Sequence, residues 1–197
     1  MIRFGITGRS GSGKSTVAEL FVPYGVHHVD ADTIVHDLYV PGQPCVSALS
    51  NAFGDSILTV AGGIDRKALG TIVFADPDKL RLLGEIVHRF VWVAMEQLER
   101  EHEEAGTKGF LVDAIALIEG GRQLEALIAV TASYEVSLQR IVVRDGISES
   151  DARKRLDAQK PQEFYTSHAD YIVDNNGDTD HLQEQVHSIA KHLKLAP

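Results

Sequence analysis

Cysteine is almost absent from this chain: Cys45 is the only one in 197 residues. A lone thiol excludes an internal disulfide and a zinc site built on cysteines, and it suits a reducing, cytoplasmic setting. Long apolar runs are missing too. None approaches the ~18 residues that a membrane span needs, so no membrane association is expected. The opening MIRFGITG is short, ends in glycine and has no cleavage site behind it, so it reads as structure and not as a leader. Positive charge is scarce: 19 Lys and Arg stand against 28 Asp and Glu, a formal net charge of −9. Nucleic-acid binding rests on clustered cations, so no nucleic-acid partner is expected. An anion is bound only where a few cations and backbone N–H groups gather locally. Repeats, low-complexity tracts and Pro/Gly/Ser linkers are also lacking, which points to one compact unit.

What the chain does have is a series of apolar runs of strand length. IRFGIT is followed by a Gly-rich turn and a helix over about 14–21. VHHVDAD is a second strand that ends in acidic residues, and FLVD, ALIAVTA and DYIVDN are three more. Helical patterns fall between most of them, which predicts a parallel sheet with helices on both faces. One interval breaks the alternation. Residues 31–106 carry helical patterning only, with VPGQPC as a turn, too long for one crossover and therefore an insertion. In RDGISESDARKRLDAQ, Asp145-Gly146 ends a helix and Ser148 with Asp151 forms a capping box that starts another. A short charged helix after a Gly hinge reads as a lid. Trp92, in an apolar helical stripe, reads as core.

The chemistry is concentrated in GRSGSGKST, residues 8–16. Gly8 to Ser15 matches G-x-x-x-x-G-K-[ST], with a strand before it and a helix after it. The glycines let backbone N–H groups converge on a phosphate, and the following helix points its positive end at the same place. Lys14 reaches the β- and γ-phosphates, and Ser15 is placed to ligate Mg²⁺. Carboxylates at the ends of the other strands belong near that anion. Asp30 reads as a helix N-cap. Asp32 reads as the catalytic group that orients an acceptor hydroxyl and takes its proton. Asp113 closes FLVD as a Walker-B aspartate does, associated with Mg²⁺; Glu119 follows in IEGG. Arg140 and Arg144 share one helix face beside the Gly hinge, able to supply cations over a nucleotide. His27, His28 and His36 show no spacing that supports zinc.

These residues resemble the dephospho-CoA kinase family along almost the whole chain. The resemblance is carried by GITG with GSGKSTVAELF, YGVHHVDAD, AFGDSIL, GGIDRKALGTIVFADPDKL, EIVH, the strand ending in Asp113, SLQRIVVRDG and ADYIVDNNG. It implies a three-layer P-loop NTPase fold with a mostly parallel central sheet. The core is then residues 1–31, 107–143 and 169–197, the helical substrate-binding insertion 32–106 and the helical lid 144–168. It implies a phosphotransferase with an alcohol acceptor, moving the terminal phosphate of ATP, with Mg²⁺, to the ribose 3′-hydroxyl of dephospho-CoA. The ATP loop is Gly8, Gly11, Ser12, Gly13, Lys14, Ser15 and Thr16, with Asn175 beside the adenine. Asp32, Lys14, Arg140 and Arg144 are the catalytic set. Asp32, Arg66, His88, Asp113 and Glu119 face the acceptor, and Ser15 and Asp113 the metal. A monomer or weak homo-oligomer in the cytoplasm is expected.

Three departures stand out: Gly8-Arg9 where the family usually has Gly-Gly, His88-Arg89 where it has His-Pro, and DAIALIE (113–119) where it has Asp-x-Pro-Leu-Leu-x-Glu. Two alternatives remain at this point, a P-loop kinase of another nucleoside or nucleotide and a non-kinase regulatory P-loop ATPase. Neither an N-K-x-D guanine signal nor a partner-binding tail favours the second.

Overall fold

The computed structural model describes residues 1–113, 118 and 124–196. At its centre is β1 (Ile2–Thr7), whose Phe4 and Ile6 are fully buried. It is flanked by β3 (Gly109–Asp113) and β4 (Ala126–Thr131), with β2 (Val26–Asp30) and β5 (Tyr171–Asp174) at the edges. The order is β2-β3-β1-β4-β5 and every pairing is parallel. All five residues of β3 are buried, as expected where both faces of a parallel sheet are covered. The five apolar runs in the sequence are these five strands. β2 stops two residues early, because α2 (Ala31–Leu38) begins within DAD.

One face of the sheet presents Phe4, Ile6, Leu111, Ile128, Val130 and Val173 to α1 (Lys14–Glu19) and α9 (Thr179–His192). Val17, Ala18 and Phe21 come from the α1 side, and Leu182, Val186, Ile189 and Ala190 from α9. Phe21 lies edge-on to Phe4 with ring centroids 5.3 Å apart, an arrangement that favours aromatic pairs beyond their buried area. α6 (Tyr134–Asp145) ends at Gly146, whose φ of 62° is the left-handed C-cap geometry. The Ser148 side chain then accepts from the Asp151 N–H and opens α7 (Glu149–Asp157), as the capping box predicts. α7 packs back on α6 through Leu138, Ile141, Ala152 and Leu156. α8 (Gln162–Thr166) leads into β5.

The chain divides into two compact units. The first is Met1–Asp30 with His102–Pro197, and the second is Ala31–Glu101. The second holds α2, α3 (Pro44–Phe53), α4 (Arg66–Val73) and most of α5 (Pro77–Glu104). Its buried side chains include Ile34, Leu38, Cys45, Leu49, Ile57, Leu69 and Val73. Extended pairing in it, among the described residues, is a single antiparallel bridge, Leu58 to Ile64. Trp92 is not the core residue that its apolar stripe suggests: it is 38% exposed. Val87 and Met95 are the buried residues of α5, and Trp92 sits about 140° round the helix from Val87. Among the described residues no helix is long and apolar enough to cross a membrane.

Truncating Phe21 removes a fully buried ring from the junction of α1 and the sheet. Phe21→Ala is expected to cost about 3–5 kcal/mol of folding stability. Urea titration should show a lower midpoint with an unchanged slope.

Candidate active site

The turn between β1 and α1 is shaped by glycines that nothing else could replace. Gly13 has φ 90° and serves as N-cap of α1, while Gly11 has φ 76°. A Cβ on Gly13 would run into the Asn175 side-chain amide, and one on Gly11 into the Ser137 carbonyl. Both sites therefore demand the missing side chain as well as the left-handed backbone. Gly13 brings no capping side chain, and the first turn of α1 presents its N–H groups without a side-chain acceptor of its own. That end of a helix attracts an anion.

A cavity of about 530 Å³ opens over this turn, lined by Gly11, Gly13, Lys14, Ser15, Thr16, Gln139, Arg140, Val143 and Arg144. A second, of about 250 Å³, adjoins it at Gly13, Thr16, Arg140, Asn175, Gly177, Thr179 and Leu182. Arg140 and Arg144 thus share the cavity, as their spacing predicts. Their bonds differ. The Arg140 guanidinium donates to the carbonyls of Gly11 (3.4 Å), Ser12 (3.3 Å) and Asn175 (3.1 Å). Arg144 makes a two-bond ion pair with its neighbour Asp145, at 2.7 and 3.0 Å, and Arg155 joins the same carboxylate. That pairing raises the Arg144 pKa and lowers that of Asp145.

At the carboxyl end of the sheet, Ser15 Oγ donates to Asp113 Oδ2 at 3.3 Å. Asp30 lies in register with Asp113 across β2 and β3, and His28 Nε2 is 3.9 Å from the same carboxylate. His27, on the alternate face of β2, stacks on His102 with ring centroids 3.5 Å apart. Asp113 is only 5% exposed, and burial pushes its carboxyl above the ordinary value of 3.8. Lys14 opposes that shift, Asp30 adds to it, and His28 and the Ser15 hydroxyl oppose it. Hard oxygen donors of this kind suit Mg²⁺, which takes one or two protein ligands and completes its shell with phosphate oxygens and water.

Asn175, expected beside the nucleotide base, borders the second cavity and also braces the loop. Buried to 6% exposure, it donates through Nδ2 to the Ser12 carbonyl at 2.8 Å. Asp32, Arg66 and His88 belong to the second unit. Asp32 is exposed in the first turn of α2, and His88 is exposed on α5. Arg66 opens α4 after the Asp65 N-cap and lies over the Tyr39 ring at 5.5 Å. Glu119 falls outside the described residues. Sequence reading missed Gln139 and Val143 as lining residues, and it missed the loop-bracing bonds. For Gln139 the signal was available: it flanks Arg140 on the helix already assigned to the site.

A parallel α/β sheet, a glycine turn with its lysine, and a Ser15–Asp113 pair beside the strand ends define a P-loop nucleotide-binding enzyme, which acts on the terminal phosphate of a nucleoside triphosphate. Within that class the chain belongs to the dephospho-CoA kinase family, whose model matches residues 2–181. A dephospho-CoA kinase of Aquifex aeolicus is 39% identical over 100% of both chains. The crystal structure of TT1252 from Thermus thermophilus superposes with TM-score 0.82 at 30% identity, covering 97% of this chain and 96% of that one. A dephospho-CoA kinase from Campylobacter jejuni gives TM-score 0.61 at 27% identity, with 97% and 96% covered. The activity is ATP-dependent phosphorylation of dephospho-CoA, and both alternatives left open by the sequence give way to it.

The buried Asp113 carboxylate has a consequence for stability. A folded-state pKa above the unfolded one means that ionising Asp113 works against folding. That opposition is absent below the unfolded value, grows as pH rises toward the folded value and persists at neutral pH. Asp113→Asn keeps the shape and removes the charge. Without nucleotide or metal, its Tm at pH 7 should exceed that of the wild type. The gap should close near about pH 4, in thermal melts followed by circular dichroism, while turnover falls.

Proposed function

We propose that the acceptor is the ribose 3′-hydroxyl of dephospho-CoA and that Mg²⁺ accompanies ATP. The observation that carries the ATP and Mg²⁺ part of this reading is the Ser15–Asp113 pair at 3.3 Å, with Ser15 lining the cavity that holds Lys14, Arg140 and Arg144, while family membership supports the acceptor. Ser15 and Asp113 would hold Mg²⁺ there, which when bound supplies charge stabilisation to the transferring phosphate. The loop amides of Gly11 and of Gly13 to Thr16 bind the phosphates and Lys14 neutralises them. Arg140 and Arg144 meet charge on the transferring group from the α6 side. Gly8 and Ser12 shape the loop, and Asn175 borders the base.

Asp32 is assigned to the acceptor hydroxyl, orienting it and accepting its proton. Support comes from chain continuity: Asp32 follows two residues after Asp30, which stands in register with Asp113. Arg66 and His88, from a substrate-binding insertion over 32–106, and Asp113 and Glu119, from the core, complete the acceptor side. Residues 144–168, with the bend at Gly146, form the lid over a core of 1–31, 107–143 and 169–197. A cytoplasmic monomer or weak homo-oligomer, with neither nucleic acid nor membrane as partner, fits this role.

An acceptor panel with ATP tests the assignment. Dephospho-CoA should outperform uridine, cytidine, pantothenate and nucleoside monophosphates, giving a product heavier by one phosphoryl group that co-migrates with CoA. Any other acceptor winning by about tenfold in kcat/KM (about 1.4 kcal/mol) would overturn it. Asp32→Asn should lower kcat by about 10²–10⁴-fold with KM for ATP nearly unchanged, and Asp30→Asn far less. Equal small effects from the two would make the pair structural.

A further inference from the structure

Residues 9 and 10 belong to the phosphate loop, yet their polar groups are turned to α7. The Arg9 guanidinium donates through Nη2 to the Leu156 carbonyl at 2.6 Å, and its Cζ lies 5.7 Å from the centre of the Tyr134 ring. Leu156 sits in the last turn of α7, at the negative end of the dipole, and its carbonyl also accepts from the Gln159 N–H at 3.1 Å. A guanidinium at that position makes a charge-assisted bond. Three residues on, Gln159 grips Ser10 twice. Its Oε1 accepts from the Ser10 N–H at 2.9 Å, and its Nε2 donates to Ser10 Oγ at 2.7 Å. The Ser10 amide is thereby committed to a side chain.

These bonds close a ring of contacts. Arg140 and Asn175 hold the carbonyls of Gly11 and Ser12 on one flank of the loop. Arg9 and Ser10 hold the end of α7 and the residue Gln159 just beyond it, and α7 packs on α6, the helix that bears Arg140 and Arg144. Tyr134, under Arg9, also donates its hydroxyl to Asp157 at the end of α7.

We propose that Arg9 and Gln159 are positioning residues for ATP. Their clasp fixes α7 on the phosphate loop and so keeps the loop amides and the α6 arginines in one triphosphate-accepting geometry. The proposal rests on the reading that this loop holds ATP. It assigns a role to Arg9, a residue at which the chain departs from the family's usual glycine, and to Gln159, which no motif singles out.

The test is ATP affinity by calorimetry, without acceptor, together with kcat, both KM values and Tm. The proteins are wild type, Arg9→Ala, Arg9→Lys, Gln159→Ala, Ser10→Ala and the Arg9→Ala/Gln159→Ala pair. Each alanine variant at 9 or 159 should raise Kd and KM for ATP about tenfold, while KM for dephospho-CoA stays within about twofold. The pair should lose less than the product of the single losses, because both act on one contact between the same elements. Arg9→Lys should recover part of the loss, since an ammonium reaches one carbonyl but does not lie flat on an aromatic ring. Ser10→Ala keeps the backbone bond to Gln159 and should lose only about two- to threefold. Should Arg9→Ala fail to fold, Gln159→Ala and Arg9→Lys carry the test. Variants with a lower Tm but wild-type ATP affinity would overturn the proposal, reducing the clasp to a structural contact. Wild-type protein that does not bind ATP would overturn both the clasp and the reading beneath it, so the two failures are distinct.

Discussion

A loop that turns successive N–H groups toward one anion must turn its carbonyls the other way, and a carbonyl facing protein needs a donor. That requirement organises the first unit. The carbonyls of Gly11 and Ser12 are met by Arg140 from α6, and Ser12 is met again by Asn175 after β5. Asn175 is fixed in turn by its own N–H on the Thr131 carbonyl at 2.8 Å, at the end of β4. Three elements far apart in sequence therefore converge behind the loop, and the sheet order β2-β3-β1-β4-β5 makes this possible by setting β4 and β5 on one side of β1. On the other side stand β3 and β2, whose last residues Asp113 and Asp30 are carboxylates. The loop thus has backbone-bracing donors on one flank and acidic groups on the other.

Much of this was legible before the structure. The strands announced themselves because a parallel sheet covered on both faces needs near-continuous apolar runs. The loop announced itself because its glycines have no substitute: Gly11 and Gly13 combine left-handed φ with neighbours that leave no room for a Cβ. Ser148 and Asp151 were readable because a capping box is local. What stayed hidden was non-local. Arg140 and Ser12 are 128 residues apart, and Asn175 and Ser12 are 163 apart. No periodicity or spacing carries such a pairing, so Arg140 read only as a cation for phosphate and its hold on the loop carbonyls went unseen. The end of β2 was misplaced for the opposite reason. In DAD the acidic residues suit either a strand end or a first helical turn, and α2 takes Ala31 and Asp32.

Asp113 shows how function sets a limit on stability. A buried carboxylate without a full counter-charge is a poor contributor to folding, and its raised pKa records that tension. Lys14 and the Ser15 hydroxyl relieve part of it, and a bound divalent cation would relieve more. An apolar residue closing β3 would fold at least as well. On the proposed reading, the acid is explained by the metal and anion that this end of the sheet would receive.

The two α6 arginines show how one helical turn separates two jobs. Arg140 is held by three backbone carbonyls, and withdrawing it would take this donor from those of Gly11 and Asn175, so it acts from a fixed position. Arg144 is exposed and paired with Asp145, a neighbour in sequence, and Arg155 is already in place on the same carboxylate. An exposed ion pair contributes little, and Arg155 would keep Asp145 neutralised if Arg144 turned away. On the proposed reading, Arg144 can therefore swing toward a phosphate at small cost while Arg140 stays put. In a chain of net charge −9, that reading would have α6 add to Lys14 one cation built into the cradle and a second recruited only when there is charge to meet.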